Sequence, residues 1–323
     1  HWKHRRQRQM CIRDRLNYFT RHFVVNPTMS QNGDHLGGFV GFLKGIRLLS
    51  ERCSPDQIVV VWEGGGSTRR RAIFKDYKQG RRPLKLNRYY DDIPDTIGNR
   101  NKQVALLVQA MKCVPIRQLY VTECEADDAI AYLTRYHYRD RKCIIVSSDK
   151  DLYQLIDERV TQWSPGQKVF ITKEKVSEKF SVSVDNIVTA RAFAGDQSDG
   201  LKGVPHAGFK SLSKRFPELQ KSEHVSVDDI ISKAVTLSET KKLKLFDSII
   251  SEGDVARRNW KLMHLDIANL SGSQIQKIKN VLDSFEPVRN KIALMRILNR
   301  EGVNNFDVDS YYIAIKNLSL IHI

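Results

Sequence analysis

The residues of this chain best equipped for chemistry are acidic and clustered. Glu123-Cys124-Glu125-Ala126-Asp127-Asp128 follows an apolar run, 116–121, and leads into Ala129-Ile130-Ala131-Tyr132-Leu133. That pattern predicts a strand end, a short turn and a helix start. Carboxylates in a first helical turn are ordinary, because they face the positive end of the helix dipole. Here, however, the arrangement recurs. Cys143-Ile144-Ile145-Val146-Ser147-Ser148 ends in Asp149-Lys150-Asp151, and Ile58-Val59-Val60-Val61-Trp62 ends in Glu63 and three glycines. Parallel strands deliver their functional groups at their carboxyl ends. Three strands that each end in acid would pool Glu63, Glu125, Asp127, Asp128, Asp149 and Asp151. Packed carboxylates repel one another unless a cation lies among them, and all-oxygen clusters suit hard divalent ions such as magnesium.

The elements that must hold these acids alternate strand and helix up to about residue 180. They predict an α/β lobe, 16–180, with a mainly parallel central sheet flanked by helices. Apolar residues from Gly37 to Leu49 predict a buried helix, and another is expected over 104–111. The runs 160–163 and 168–171, around Ser164-Pro165-Gly166-Gln167, read as a hairpin. Beyond about 180 the pattern becomes helical, so 181–318 is expected to form a second, helical lobe. Ser226 with Asp229 and Ser271 with Gln274 have capping-box spacing. Residues 1–15 carry neither strand alternation nor a helical stripe, and with 319–323 they are expected to be non-native ends.

Charge then bounds the partner. The 323 residues carry 53 Lys and Arg against 37 Asp and Glu, a net charge of +16. This excess favours a polyanion, nucleic acid before membrane. The densest basic segment begins Ser67-Thr68-Arg69-Arg70-Arg71 and continues through Lys75, Tyr77, Lys78, Arg81 and Arg82, within an insert expected over about 67–105 that could stand above the acids like a gate. Cations mixed with aromatic rings suit a single strand, although a solvated helix face would look the same. A second basic stretch, Lys202-Gly203-Val204-Pro205-His206-Ala207-Gly208-Phe209-Lys210-Ser211, reads as a hairpin between helices. Its backbone N–H groups could hold phosphates without reading bases. The five cysteines form no CxxC pair, which predicts a reducing, cytoplasmic compartment. No apolar run is long enough to span a bilayer.

Taken together, Glu125-Ala126-Asp127-Asp128, Ser148-Asp149-Lys150-Asp151 and Gly195-Asp196-Gln197-Ser198-Asp199-Gly200-Leu201-Lys202-Gly203-Val204-Pro205 resemble the 5′-nuclease superfamily, including its phage-encoded 5′-exonucleases. The resemblance covers about residues 16–216. It implies a two-ion magnesium enzyme, with manganese as an alternative, that cleaves phosphodiesters at 5′ ends or flaps of DNA or RNA–DNA hybrids. Such an enzyme would serve replication beside other replication proteins, as a monomer, in the host cytoplasm if phage-encoded. By position, Glu125, Asp127, Asp128, Asp149 and Asp151 correspond to acids of one ion, with Asp149 and Asp151 also catalytic, and Asp196 and Asp199 to acids of a second. Glu63 replaces the usual Asp. Asp14 stands where the first metal-binding acid stands, with Arg15 in place of the usual glycine and no strand read before it. Lys78 is expected at the scissile phosphate. Arg69, Arg70, Arg71, Lys75, Tyr77, Lys78, Arg81 and Arg82 are expected in an arch over the 5′ strand. Lys202, Gly203, Val204, Gly208, Lys210 and Ser211 fall on a helix-hairpin-helix-like element gripping duplex, where His206 replaces a glycine and bears on a bound monovalent cation. The alternatives are a catalytically impaired, structure-specific DNA-binding protein and a PIN-type ribonuclease.

Overall fold

The structure, a computed structural model, describes residues 8–13, 19–79 and 97–318. Its strands are β1 (Arg8–Arg13), β2 (Gln57–Trp62), β3 (Arg117–Tyr120), β4 (Lys142–Val146), β5 (Val160–Ser164) and β6 (Val169–Ile171). They form one sheet in the order β3-β2-β1-β4-β5-β6. All neighbours run parallel except β5 and β6, which form the expected hairpin. The helices of the first half are α1 (Phe19–Val25), α2 (Gly37–Cys53), α3 (Thr68–Ile73), α4 (Ile97–Met111), α5 (Ala126–Tyr132) and α6 (Lys173–Phe180). Those of the second half are α7 (Ile187–Ala194), α8 (Phe209–Arg215), α9 (Val227–Thr240), α10 (Lys244–Ser251), α11 (Gly253–Met263), α12 (Gly272–Asp283), α13 (Lys291–Arg300) and α14 (Val308–Ala314).

Alternation along the strands separates two cores. Ile58, Val60 and Trp62 of β2, with Ile144 and Val146 of β4, pack against Phe39, Phe42, Leu43 and Ile46 of α2 and Leu106, Leu107 and Ala110 of α4. Val59 and Val61, with Cys143 and Ile145, face Ala129 and Ile130 of α5 on the other side. A parallel sheet covered on both faces needs apolar residues at every strand position, and β2 is buried at all six. Strand order reverses between β1 and β4, so the crevice of the sheet opens beyond the carboxyl ends of those strands.

Two features differ from expectation. Residues 8–13, which read as no element, form β1 in the middle of the sheet, paired with both β2 and β4. Their apolar run, Met10-Cys11-Ile12, is only three residues long. Pairing on both sides, rather than a local pattern, makes this segment a strand. The second difference concerns the helical half. Residues between Val182 and Ala256 build a core of their own, but the chain then returns to the sheet. Ile278 and Leu282 of α12 join the α5 side. Leu294 and Leu298 of α13 and Tyr311 of α14 join the α2 side. Each pair is spaced i, i+4, so each helix has one narrow apolar stripe to bury. The uncovered margins of the sheet accept those stripes.

Candidate active site

Of the acids at the strand ends, Glu125 and Asp151 come together, joined by Asp196 and Asp199. After β4 the backbone turns through Asp149, whose Oδ1 accepts the Asp151 N–H at 3.0 Å while its own N–H donates to Ser147 Oγ at 3.0 Å. This turn aims Asp151 at the end of α7. There the chain reverses through Gly195, at φ +76°, and an antiparallel bridge between Asp196 and Leu201. Ligand oxygens of Asp151, Asp196 and Asp199 lie within 4.8 Å of one another. Glu125, at the N-terminus of α5, meets the same group from the opposite side. The Tyr77 hydroxyl is 3.4 Å from Glu125 Oε2 and 3.5 Å from Asp199 Oδ2. Lys78 Nζ donates to both Glu125 oxygens at 2.8 Å and lies 3.8 Å from Asp199.

The electrostatics carry the mark of this crowding. Burial pushes the Asp151 carboxyl up to about 6; Arg191 opposes the shift, and Asp149, Asp199 and Asp196 add to it. Burial and the Glu125 charge also raise the Tyr77 phenol well above its ordinary value. The site therefore buries carboxylates close together, where each raises the cost of charge on its neighbours. Its donors are all carboxylate oxygens, with neither thiolate nor imidazole in the Asp151–Asp196–Asp199 group. That chemistry fits a hard divalent cation.

Other expected residues lie elsewhere. Asp128 is 1% exposed, and the Arg70 guanidinium that it pairs with also lies 3.4 Å from Glu125 Oε2. Arg70 donates to the two Asp128 oxygens at 2.5 and 2.7 Å, and Asn269 Nδ2 donates to Oδ1 at 3.0 Å. Asp128 is thus half of a buried ion pair that adjoins Glu125. The expectation for Arg70 is corrected. Arg70 is 2% exposed and its Nε donates to the Leu262 carbonyl at 2.8 Å, so it cannot reach a nucleic acid. Tyr77 is likewise no platform for a base, because its ring is buried among Tyr153, Val188, Leu201 and Leu262. Val204 is buried in the helical core, and its N–H donates to Phe193 O at 2.7 Å. It shapes the hairpin and offers nothing to a phosphate. Gly203 is structural too, since a Cβ there would meet Ala194 O at 2.3 Å.

The remaining expectations find compatible places. Asp127 is buried in the first turn of α5, and Glu63 is half-buried just beyond β2. Glu63 leaves the sheet through Gly64, where a Cβ would lie 1.7 Å from Val121 O. Arg69, Arg71, Lys75, Lys202, Gly208, Lys210 and Ser211 are exposed. His206 adopts φ +66°, the left-handed backbone that a glycine takes most easily. Asp14, Arg81 and Arg82 lie outside the described residues.

One site residue was missed by sequence reasoning. Arg191, in the last turn of α7, bridges Asp151 at 2.5 Å and Asp196 at 2.6 Å. Burial alone would lower its pKa, but the surrounding carboxylates raise it on balance. The only local signal is an Arg five residues before Asp196, in an otherwise apolar helix that has no other reason to carry charge.

The family model described as 5′-3′ exonuclease, N-terminal resolvase-like domain, matches residues 9–181. A 5′-3′ exonuclease of Aquifex aeolicus is 31% identical over 190 residues, which cover 58% of this chain and 62% of the relative's length. The flap endonuclease Xni of Shewanella halifaxensis is 30% identical over 216 residues, covering 65% of this chain and 75% of that protein. A bacteriophage T5 flap endonuclease, solved in complex with DNA and metal ions, superposes with a TM-score of 0.67 at 20% identity, over 85% of this chain and 98% of that one. That likeness speaks to the fold. This chain belongs to the family of 5′-3′ exonucleases with an N-terminal resolvase-like domain.

Proposed function

We propose that the chain is a divalent-metal-dependent 5′-3′ exonuclease and flap endonuclease acting on DNA or RNA–DNA hybrids, in the removal of primers or flaps during replication. The ion is magnesium, with manganese as an alternative, and two ions are held at once. The enzyme works as a monomer in the cytoplasm. The observation that carries the reading is the convergence of Glu125, Asp151, Asp196 and Asp199, which are distant in sequence and come from both halves of the chain. Glu125, Asp149 and Asp151 would hold one ion and Asp196 and Asp199 the other, while the described Asp128 is committed elsewhere. The chemistry such ions supply is Lewis-acid charge at the phosphodiester and a nucleophilic water at neutral pH.

The chain's own residues do the rest. Arg191 fixes Asp151 and Asp196 relative to each other, so that the cradle is preorganised. Lys78 presents an ammonium at the rim, where a scissile phosphate would meet it. Its left-handed backbone, φ +61°, is held by its N–H donating to Asp199 O at 3.2 Å. Exposed Arg69, Arg71, Lys75, Lys202 and Lys210 would take phosphates on either side. The test is Asp149→Asn on a labelled flap with magnesium. Cleavage should fall to background while DNA affinity, measured in EDTA, stays within a few-fold. Intact cleavage with lost binding would reverse the assignment.

A further inference from the structure

Helix α11 buries one face, formed by Gly253, Ala256, Asn259, Leu262 and Met263. Asn259 is the one member of that face with a polar side chain, and it is 0% exposed. A buried carboxamide costs free energy unless its hydrogen bonds are met, so its partners are informative. Its Nδ2 donates to Ala192 O at 3.0 Å and to Lys202 O at 2.8 Å. The first carbonyl belongs to the last turn of α7, where a helix leaves its C=O groups without intrahelical partners. The second lies on the far limb of the hairpin that follows. Both limbs of the hairpin that carries Asp196 and Asp199 are therefore pinned to one point on α11. The hairpin itself is closed, because Asp196 and Leu201 exchange backbone hydrogen bonds at 2.8 Å and the Val204 N–H donates to Phe193 O.

One turn further on, roughly 6 Å along the axis, the end of α11 meets the other acid-bearing turn. Gln154 Nε2 donates to Met263 O at 3.0 Å and to Asp151 O at 2.7 Å, and its Oε1 accepts the Leu265 N–H at 2.9 Å. A carboxamide carries two donors and an acceptor on one planar group, and Gln154 uses both kinds here. Arg135 closes the joint, donating to Leu265 O at 2.6 Å and to Gln154 O at 3.0 Å. Arg191 ties the side chains of Asp151 and Asp196 together, but a long side chain can follow its partners when their backbones drift apart. The two amides hold backbone carbonyls instead.

We infer that α11 is the spacer of the acidic cluster: Asn259 ties it to the hairpin of Asp196 and Asp199, Gln154 ties it to the turn of Asp151, and both amides are positioning residues for the metal-binding carboxylates. The inference rests on the nuclease reading and adds to it what sets the separation between the acids of the two halves. Neither amide touches an ion or a phosphate. Each acts through the carbonyl of a turn, so its loss displaces carboxylates without removing any.

The test uses the full chain without DNA, titrated with Mn2+ and read by the EPR signal of the free ion, beside steady-state cleavage of a labelled flap well below the melting temperature. Gln154→Met and Asn259→Leu remove the amide donors and keep much of the volume. Each should weaken Mn2+ binding about 10-fold and lower kcat, with KM for the flap unchanged. Because the two amides set one separation, the double variant should lose less than the sum of the single losses in log affinity. Gln103→Met is the structural comparison: its buried amide holds the His35 carbonyl and the Phe39 N–H at the start of α2. It should lower the melting temperature and leave Mn2+ binding and kcat as they are. Wild-type Mn2+ affinity in Gln154→Met would overturn the spacer. So would a raised KM at unchanged kcat, which would make α11 a DNA contact, fully additive losses in the double variant, or an equal loss of Mn2+ affinity in Gln103→Met. Should Asn259→Leu not fold, Gln154→Met at its half-buried position decides alone. Wild-type protein that binds Mn2+ while both variants match it removes the spacer alone; wild-type protein that neither binds Mn2+ nor cuts the flap removes the nuclease reading as well.

Discussion

Replacing Arg70 separates a structural ion pair from a nucleic-acid contact more cleanly than any other change. The guanidinium is 2% exposed, makes two hydrogen bonds to Asp128 and one to Leu262 O, and lies 3.4 Å from Glu125. Arg70→Met keeps much of the volume but leaves the 1%-exposed Asp128 carboxylate with Asn269 Nδ2 as its remaining donor from this group. Removing one partner of a buried pair costs about 3–5 kcal/mol. At roughly 2–4 °C per kcal/mol for units of 150–250 residues, the melting temperature should fall by about 6–20 °C. Adding Asp128→Asn removes the orphaned charge, so the double variant should recover part of that loss. The assays are thermal melting and urea denaturation of the two single variants and the double, treated as a double-mutant cycle. A coupling energy near zero would refute the pairing. So would an Arg70→Met protein of unchanged stability that binds DNA several-fold more weakly, because that is the behaviour of a surface phosphate contact. A large loss of divalent-ion affinity in Asp128→Asn, with stability intact, would return Asp128 to the metal cluster.

The exposed cations Arg69, Arg71, Lys75, Lys202 and Lys210 amount to five phosphate contacts, which predicts a slope of log K against log salt of about −4.5 on duplex DNA; a flat response in a titration from low to moderate salt would remove this surface from the binding account. Gly64→Ala places a methyl 1.7 Å from Val121 O and should cost about 1–3 kcal/mol through overpacking, with a fall in cleavage rate larger than any fall in DNA affinity because it moves Glu63; a variant with wild-type stability and rate would show that the turn can give. Cys53, Cys113, Cys124 and Cys143 are all buried, and burial raises the thiol pKa of Cys113, Cys124 and Cys143. These four should react with Ellman's reagent only after unfolding, and fast modification of the native protein at any of them would contradict the packing.

Much of the site was legible because it depends on local rules. A short apolar strand followed by acid is readable in a window of ten residues, and β2 and β4, with Asp151 beyond β4, were found that way. The hairpin after α7 was legible from its glycines, two of which, Gly195 and Gly200, do adopt positive φ. What failed was any judgement about which side of an element faces inward. Arg69, Arg70 and Arg71 are indistinguishable as a string, yet the middle one is buried because Ser67 caps α3 and sets its rotation. Tyr77 was misread and Arg191 missed for a similar reason: Tyr77 meets Glu125 and Asp199, and Arg191 meets Asp151, tens of residues away in the chain. The strand β1 escaped notice because its identity comes from two neighbours rather than from its own pattern. The return of α12–α14 to the sheet was illegible for a related cause, since an apolar stripe says that a helix is covered and not by what.

Arg191 clamps an acid of the sheet half to an acid of the helical half, and this has a bearing on how such a protein can be cut and recombined. The family match ends at residue 181, before Asp196 and Asp199. A gene fragment stopping at that boundary would lack both the α12–α14 side chains that complete the two cores of the sheet and the acids of the helical half. Exchange of the second half between homologues would have to preserve the spacing between Arg191 and Asp196 as well as a suitable Asp151 on the recipient. The unit that can be transplanted with its chemistry intact is therefore larger than the unit that sequence similarity delimits.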